Sequence, residues 1–555
     1  MRTMKLRSFA HVHVLALTFL LSPQSPAALP APDPDNGAIA LPPGFQALVV
    51  ADNLGPLRFM TVAANGDIYV KTQRKGVIAL RDTHGDGRAD VKKEFGSGGG
   101  TGIALHDGWL YHSTNDAVYR YKLTPGELAP TGEPETIVRG LPDGRQHNAK
   151  SFIFGGDGQL YVEVGSPSNS FGDPDRALGA KGGDPTEFLR THGGFWRFDP
   201  NKLNQSQADG FHFSTGHRHI LSVAWNPAAK SLFIVMMGRD QLNTVAPQYY
   251  NDQDNAERVG EEMHQLNEGA NFGWPFTYYD VLRKERMVAP EYGGNNNQRA
   301  EPGKWPNPLV AFPAHWAPLQ MAFYGGEQFP AKYRGGAFIA FHGSWNRAPL
   351  PQAGYCVGFV PCDEKGMPRG TYEVFANGFA GREVLMAPRD ARFRACGLAV
   401  GPDGSLYVAD SEKGRVWRII YTGEKSKNIP ATPTPEPAKT TDNATPDGAK
   451  IYAQNCATCH MADGSGVPNL QPALAGSAVV SGDSLQLVRV LLLGPAKVLP
   501  ADRDPYSNTM PAFAQLPDAE IAAVLSHIRK LFGEGASPIT TSLVTNERTP
   551  PIRSH

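Results

Sequence analysis

Short hydrophobic segments that follow a turn recur over the first three quarters of the chain. Each copy has an Asp-Gly pair, or a similar one, followed by a few alternating or apolar residues. The six copies are Asn65–Val70, Asp107–Tyr111, Asp157–Val162, Ala228–Ile234, Tyr333–Ile339 and Asp403–Val408. Because glycine readily adopts the positive φ of a tight turn, each copy predicts a β-hairpin. Six such hairpins predict an all-β six-bladed β-propeller over residues 44–421, with a β-sandwich as the alternative.

The spacing between the hairpins is uneven. The longest intervals lie at about residues 166–210 and 240–330, so the loops there must carry large insertions. In propellers such loops gather on one face and form the binding site. We therefore expect the functional residues in these loops and at the strand ends beside them.

The pattern changes after residue 421. Residues 422–446 are polar and rich in proline, which predicts a semi-extended linker. In residues 447–534 the apolar positions take on helical spacing, most clearly from Asp518 to Leu531, and predict a small all-α domain. Residues 535–555 show no such pattern and are expected to be a disordered tail.

The N-terminus has the form of a secretory signal. Basic residues precede an apolar run from Phe9 to Leu21, and small residues at Ala27 and Ala28 offer a cleavage region. The run is too short for a membrane anchor, and no other segment could span a bilayer. We therefore predict a signal peptide at residues 1–28, a proline-rich lead-in at 29–43 and a periplasmic location.

Composition agrees with this organisation. The 555 residues include 60 Gly and 47 Pro, and only 19% are charged, a balance that suits a turn-rich β protein. The net charge is −1, so nothing indicates nucleic acid or an anionic membrane as a partner. The length allows a large domain and a small one.

The most specific motif lies in the predicted helical domain. Cys456-Ala457-Thr458-Cys459-His460 is the attachment pattern of c-type haem, in which Cys456 and Cys459 bind the porphyrin and His460 binds the iron. Met510 downstream can supply the sixth ligand, and a His/Met pair is typical of electron-transfer haems. The pairing of the remaining cysteines, Cys356, Cys362 and Cys396, stays undetermined.

Two further segments could bind a metal or a proton. Asp82–Asp90 resembles a calcium-binding loop, but its third position is His and its twelfth is Lys, so a polar turn is the alternative. His147 lies at the start of the third hairpin, beside polar groups that could fix its tautomer. A histidine is the usual general base near neutral pH.

Several strand ends carry arginine. Arg218 and His219 precede the fourth hairpin, Gly238 and Arg239 follow it, and an Arg at position 347 ends the fifth. Arg394 precedes the sixth. Because arginine presents planar donors to carboxylate oxygens, these positions suit an anionic cofactor at the centre of the propeller.

At these residues the sequence resembles the quinoprotein glucose/sorbosone dehydrogenase family with an appended cytochrome c domain. The resemblance covers most of residues 45–421. Its most specific stretches are Leu141–Lys150, Gly216–Asn226, Gly238–Leu242, Asn271–Pro275 and Phe341–Pro351.

The resemblance implies a set of roles. His147 would be the general base, and Arg218 and His219 would lie at the quinone. Main-chain oxygens of Gly238 and Arg239 would bind Ca²⁺. Asn346 and Arg347 would lie in a loop that contacts the cofactor, and Arg394 would bind one of its carboxylates. The implied cofactors are pyrroloquinoline quinone (PQQ), Ca²⁺ and haem c.

The chain also departs from the family. A second arginine of the glucose enzyme falls on Cys396, and its polar residue over the quinone falls near Gly100-Thr101. The implied activity is oxidation of an aldose or aldehyde sugar, with electrons passed through the haem to a periplasmic acceptor or terminal oxidase. Two alternatives remain: an eight-bladed quinohaemoprotein alcohol dehydrogenase, and a non-enzymatic binding propeller with an electron-relay cytochrome.

Overall fold

A computed structural model describes residues 29–144, 146–382, 384–423, 446–456, 460, 464–466, 472–500, 510, 512–514 and 516–548. The predicted signal peptide, Cys459 and most of the predicted linker lie outside these residues. None of the helices in the described part is long and apolar enough to cross a membrane.

Twenty-nine strands build the N-terminal domain. The first, β1, covers Phe45–Ala51. The first blade contains β2 (Leu57–Val62), β3 (Ile68–Thr72), β4 (Val77–Arg81) and β5 (Val91–Phe95), and the second contains β6 (Ile103–His106), β7 (Trp109–Ser113), β8 (Val118–Lys122) and β9 (Glu135–Val138). The third contains β10 (Phe152–Phe154), β11 (Leu160–Val164), β14 (Gly194–Phe198) and β15 (Phe211–Thr215). A short pair, β12 (Gly172–Asp173) and β13 (Lys181–Gly182), is inserted between β11 and β14.

The other three blades follow in chain order. The fourth blade contains β16 (Ser222–Asn226), β17 (Ser231–Met236), β18 (Glu261–Leu266) and β22 (Val310–Phe312). Between β18 and β22 the chain forms β19 (Ala270–Asn271), which pairs with β15 of the third blade, and the separate pair β20 (Thr277–Asp280) and β21 (Glu285–Val288). The fifth blade contains β23 (Pro318–Phe323), β24 (Ala337–Phe341), β25 (Cys356–Val360) and β26 (Glu373–Ala376), and the last contains β27 (Ala395–Val400), β28 (Leu406–Asp410) and β29 (Val416–Tyr421).

Six sheets of four or five strands are arranged as a six-bladed propeller, and β12 with β13 and β20 with β21 form two separate pairs, so the predicted fold is confirmed. The β-sandwich and the eight-bladed alternative are wrong. The last blade is completed by the first strand, since β1 pairs with β29 from Phe45 opposite Tyr421. Main-chain hydrogen bonds between the two ends of the domain thus close the ring.

Each of the six sequence copies forms the turn between the first two strands of one blade. Gly66, Gly108, Gly158 and Gly404 adopt φ values of 89°, 76°, 72° and 82° in these turns. The strand after the turn lies between neighbouring blades, and all residues of β3, β11, β24 and β28 are buried. This burial on both faces explains why the segments are continuously apolar.

Aromatic side chains fill the space between the last two blades. Phe45 makes edge-to-face contacts with Phe329, Tyr333 and Phe375, at centroid distances of 4.8 to 5.3 Å. Phe45 comes from the closing strand, so this cluster reinforces the ring closure.

The helices divide between the two domains. α1 (Leu242–Val245) and α2 (Asp252–Glu257) lie between β17 and β18. The C-terminal domain contains α3 (Gly448–Asn455), α4 (Ala478–Ser481), α5 (Ser484–Leu493), α6 (Asp518–Phe532) and α7 (Thr541–Arg548). Short 3₁₀ turns occur at Asn36–Ala38, Phe188–Arg190, Gln207–Asp209, Pro290–Tyr292, Ala331–Tyr333, Pro388–Asp390 and Pro495–Lys497.

The C-terminal tail corrects one expectation. Within residues 535–548, which were expected to be disordered, α7 buries Val544 against the helical core. Arg548 donates to Asp518 Oδ1 at 2.6 Å and to the Leu516 carbonyl oxygen at 2.7 Å. The helix carries little apolar periodicity of its own, so tertiary contacts stabilise it. Residues 549–555 lie outside the described part.

Candidate active site and haem cavity

The predicted quinone-site residues all lie at one end of the propeller. In a four-stranded antiparallel blade, the connections after the second and fourth strands leave the same end. His147 follows β9 and Arg218 follows β15, both fourth strands, whereas Gly238 follows β17, a second strand. Asn346 and Arg394 obey the same rule after β24 and β26. The hairpin turns of the sequence repeat lie at the opposite end.

His147 has the geometry of a base. Its Nδ1 lies 2.5 Å from the carbonyl oxygen of Ser166, and its ring stacks on His219 with centroids 4.9 Å apart. A carbonyl oxygen can only accept, so Nδ1 carries the proton and the lone pair remains on Nε2. Burial lowers the pKa of His147 well below its usual value, and Arg218 and His219 act in the same direction. The imidazole is therefore neutral near pH 7 and able to accept a proton.

Arg218 and Asp240 form a buried ion pair beside this histidine. Asp240 also contacts Arg176 at 3.1 Å and His315 at 3.5 Å. Burial alone would raise the pKa of Asp240, but Arg218 and His315 outweigh it and hold the pKa well below its usual value. Asp240 thus faces two guanidinium groups, which carry more positive charge than this one carboxylate neutralises.

One buried donor and one buried acceptor at the site lack a hydrogen-bond partner in the described residues. Within the described residues, neither Arg218 Nε nor Asn346 Oδ1 makes a hydrogen bond. Unpaired buried polar atoms are unfavourable, and at functional sites they are commonly satisfied by a bound ligand. Together with the cationic surroundings, they suit a polar, anionic molecule.

The main chain at Gly238 and Arg239 is available to a cation. Gly238 N donates to Glu261 Oε2 at 2.8 Å, and the Arg239 side chain pairs with Glu291 and reaches the Asp240 carbonyl at 2.9 Å. The carbonyl oxygens of Gly238 and Arg239 accept no hydrogen bond from the described residues. Carbonyl oxygens are ligands that Ca²⁺ prefers. The same part of the chain holds no cluster of three acidic, His or Cys side chains suited to a metal.

The two other arginines differ in what they bind. Arg394 contacts His342 Nδ1 at 2.8 Å and the Gly343 carbonyl at 2.6 Å. The Arg347 guanidinium is 1% exposed and bonds to the Ala256 and Pro351 carbonyls. Arg347 therefore ties its loop to α2, and we do not assign its guanidinium to the cofactor.

Asp82 stabilises a turn in the loop that resembles a calcium site. Its carboxylate accepts from Gly85 N and Gly87 N, each at 2.7 Å, while Asp90 pairs with Thr83 and His84. Main-chain amides thus occupy the oxygens that a cation would need. The geometry favours the polar turn.

The three cysteines of the propeller are free thiols. Cys396 is fully buried and its Sγ lies 3.3 Å from the Ala409 carbonyl, while burial raises its pKa. Burial likewise raises the pKa of Cys362 to about 12. These thiols belong to the packing of the blades and are unreactive near neutral pH.

The helical domain contains an apolar cavity of about 560 Å³ next to the haem motif. Cys456, His460 and Met510 line it, together with Leu474, Val480, Leu487, Leu491, Leu525 and Ile528. His460 Nδ1 lies 2.9 Å from the Pro472 carbonyl, so Nδ1 carries the proton and Nε2 can bind iron. Burial lowers the pKa of His460, which keeps the ring neutral as ligation requires.

Comparison with known proteins decides the family. A family model described as TrAA12-like matches residues 39–422, and one described as cytochrome c matches residues 446–532. The chain belongs to the TrAA12-like family. Its TrAA12-like propeller is followed by a cytochrome c domain, which confirms the resemblance to sugar-dehydrogenase-like quinoproteins with an appended cytochrome.

Solved structures share the fold of the TrAA12-like propeller. The calcium structure of a Trichoderma reesei carbohydrate-active enzyme of family AA12 is 18% identical, with a TM-score of 0.56, covering 69% of this chain and 97% of that one. The holo form of the pyranose dehydrogenase PQQ domain from Coprinopsis cinerea is 18% identical, with a TM-score of 0.52 and coverages of 69% and 97%.

The cytochrome domain has curated relatives of its own. Cytochrome c-552 of Thermus thermophilus is 41% identical over 111 residues, which are 18% of this chain and 84% of that protein. The cytochrome c subunit of the quinone alcohol dehydrogenase of Gluconobacter oxydans is 41% identical over 91 residues, 16% of this chain and 19% of that subunit.

Several polar residues of the TrAA12-like site were missed from the sequence. Glu163, Asp240 and His315 are buried there, and Arg176 reaches the site from the loop between β12 and β13. The one local signal was a charged residue inside an apolar strand, as at Glu163 within Leu-Tyr-Val-Glu-Val. Such a residue is costly to bury without a partner, so it marks a polar interaction.

Proposed function

We propose that the protein is a periplasmic oxidoreductase that uses PQQ and Ca²⁺ to oxidise an aldose or aldehyde sugar and transfers the electrons to its own haem c. The observation that carries the proposal is His147, whose neutral imidazole keeps its lone pair on Nε2 and lies beside Arg218 and His219. The same chain carries a cytochrome c domain. A base beside an electron acceptor, joined to a one-electron carrier, is the equipment of a dehydrogenase.

The propeller residues fit the two implied cofactors. Arg394 would hold one carboxylate of PQQ, with Arg218 and His219 at the quinone and Asn346 Oδ1 at a polar edge. The carbonyl oxygens of Gly238 and Arg239 would bind Ca²⁺. When bound, PQQ would supply a two-electron acceptor for the hydrogen removed from the substrate carbon.

His147 would take the hydroxyl proton of the sugar. The carbonyl of Ser166 fixes the ring and leaves Nε2 as the acceptor of that proton. The ion pair of Arg218 with Asp240 keeps Arg218 in place beside the base, so the positive field is present before the substrate arrives.

The haem would be held by Cys456 and Cys459 through thioethers, and its iron by His460 and Met510. The apolar lining would limit the access of water, and a methionine ligand would raise the reduction potential of the bound haem. A downstream periplasmic carrier or terminal oxidase would then reoxidise the haem. The structural and sequence relatives that contain PQQ domains or quinone-dehydrogenase cytochromes support this assignment.

Haem absorption tests the proposal directly. Oxidised protein is mixed with PQQ, Ca²⁺ and a panel of aldoses and aldehydes, and reduction of the haem is followed with time. We expect reduction only when quinone, Ca²⁺ and one class of sugar are all present. Absence of sugar-dependent reduction in the loaded protein would favour the binding-module alternative.

Replacing His147 identifies the base. We expect His147→Ala to slow sugar-dependent haem reduction by about 10²- to 10⁴-fold, the usual contribution of a general base. The exposed His84→Ala is the matched control and should leave the rate unchanged. A His147→Ala variant that binds PQQ and reacts at the wild-type rate would contradict the assignment.

A further inference from the structure

Glu163 is a buried carboxylate that the proposed chemistry does not use. It lies in β11, the second strand of the third blade, with 0% of its surface exposed. The other residues of this strand, Leu160, Tyr161, Val162 and Val164, are buried and hydrophobic. Because burying a carboxylate is unfavourable unless it is bound, its contacts should reveal its purpose.

One oxygen of Glu163 has two partners. Oε1 accepts a hydrogen bond from Ile220 N at 3.0 Å and lies 3.1 Å from His219 Nδ1. The other oxygen, Oε2, is buried and has no partner in the described residues. Lys150 is also buried, and burial lowers its pKa. The nearby charge of Glu163 acts on the pKa of Lys150 in the opposite direction.

These contacts determine how His219 is presented. A carboxylate oxygen accepts, so His219 Nδ1 carries a proton and its ring cannot flip without losing this bond. His219 Nε2 makes no hydrogen bond to the described residues and is left for a ligand, while its ring stacks on His147 with centroids 4.9 Å apart. The arrangement is a carboxylate, an oriented imidazole and then the cavity that holds the base.

We propose that Glu163 is a positioning residue that sets the tautomer and orientation of His219, so that Nε2 presents its lone pair to a hydrogen-bond donor on the bound cofactor. This inference rests on the proposed function and deepens it. With Nδ1 protonated, Nε2 of the neutral ring accepts a hydrogen bond.

The ring tautomer can be measured in the apo protein. In protein labelled with ¹⁵N-histidine, His219 is assigned as the resonance lost in His219→Asn. We expect wild type to show a protonated Nδ1 and Glu163→Met to show a mixture of tautomers. An unchanged His219 signal in folded Glu163→Met would overturn the proposal whether or not the protein binds PQQ.

Cofactor affinity supplies a double-mutant cycle. PQQ binding with Ca²⁺ is followed by tryptophan fluorescence. We expect Glu163→Met to weaken binding about tenfold, which corresponds to one hydrogen bond, and to have no further effect in a His219→Asn background. An equal loss in both backgrounds would show that Glu163 acts through the packing of the blade and would overturn the proposal.

Two additional variants make the result unambiguous. Asp157→Asn, in the turn at the other end of the same hairpin, removes a charge that accepts from Tyr161 and should not alter PQQ affinity. If Glu163→Met does not fold, Glu163→Gln decides: a loss of affinity only when His219 is present supports the proposal, and the same change in affinity in both backgrounds, or none in either, overturns it. Wild type that fails to bind PQQ would instead contradict the proposed function, while the tautomer measurement still tests Glu163.

Discussion

The two candidate sites of this chain are built on opposite principles. The propeller site is surrounded by polar pairs that join different strands or loops, with Arg218 on Asp240 and Glu163 on His219. The cavity of the cytochrome domain is lined by leucine, isoleucine and valine, with polar function concentrated at Cys456 and His460. The first would bind through directed polar contacts, and the second through apolar burial and covalent attachment.

The two sites therefore differ in how much of the chain each depends on. Haem attachment depends on a five-residue local motif, so it can be recognised without knowing the rest of the domain. A quinone site depends on many weak contacts whose geometry is set by six blades. The first site should therefore fail completely when one element is lost, and the second gradually. All eight tryptophans lie in the propeller, so tryptophan fluorescence and haem absorption report on the two regions separately.

The largest effect is expected from removing the haem thiols. A Cys456→Ala, Cys459→Ala double variant should lose covalent haem entirely, and its domain should lose helix content because a cavity of about 560 Å³ is left without its apolar filling. Haem staining and circular dichroism measure this. The propeller should unfold at an unchanged urea concentration. Cys362→Ser is the control and should retain haem. Unfolding of both domains in one transition would show that the two sites do not depend on separate domains.

Breaking the central ion pair should destabilise only the propeller. Asp240→Asn leaves Arg218 and Arg176 without their common carboxylate, and a buried charge that loses its partner costs about 3–5 kcal/mol. Urea unfolding followed by tryptophan fluorescence should show this loss, with the haem spectrum unchanged. Glu187→Gln, which breaks the exposed pair with Arg190, should change stability by less than about 1 kcal/mol. Equal effects of the two variants would contradict the buried role of Asp240.

Acid should weaken the propeller through its buried histidines. Burial lowers the pKa of His112 and of His217 to about 3, from an ordinary value of 6.5. The folded state keeps both rings neutral, so the unfolded state binds more protons as the pH falls below 6.5, and stability is lost from there down to about pH 3. We expect the free energy of unfolding to fall by a few kcal/mol between pH 7 and about pH 4.

A substitution at His217 sharpens this prediction. Both of its ring nitrogens lack partners in the described residues, so His217→Leu removes the titration without breaking a hydrogen bond. The variant should lose less stability on acidification than wild type, as judged by urea midpoints at several pH values. An acid sensitivity equal to that of wild type would assign the effect to other groups.

The smallest effect is expected in the calcium-like loop. Asp82→Ala removes the acceptor of two short main-chain hydrogen bonds and should cost about 1 kcal/mol, because the loop is exposed and water can replace the carboxylate. The stoichiometry of Ca²⁺ binding, measured calorimetrically with PQQ present, should stay the same. Loss of one bound Ca²⁺ would show that this loop is a metal site.

Much of the fold and part of the site could be predicted from local pattern. The Asp-Gly hairpins predicted six blades because each turn is a short-range event that needs no partner elsewhere. The spacing of His147, Arg218 and Arg394 relative to these hairpins placed them at strand ends, and the structure puts those ends on one face. The charge network around them was not predictable, since its members are far apart in sequence.

Three contacts show what the sequence pattern could not predict. Glu163 meets His219 across 56 positions, Arg394 meets His342 across 52, and Arg347 turned inward to α2 where a cofactor contact was expected. Sequence patterning identifies which strand or loop carries a residue, but the direction of a side chain in a loop depends on what packs against it. The same reason explains α7, which is stabilised by its contacts with α6.

By itself, the sequence determined the hairpin repeat, the helical domain and the haem attachment motif, because each depends on residues within a few positions of one another. The tertiary structure decided the closure of the ring by β1, the partners of Asp240 and Glu163, and the free carbonyls at Gly238 and Arg239. These depend on six blades meeting around one axis, where the entropy of bringing distant residues together is offset by burial of the blade faces.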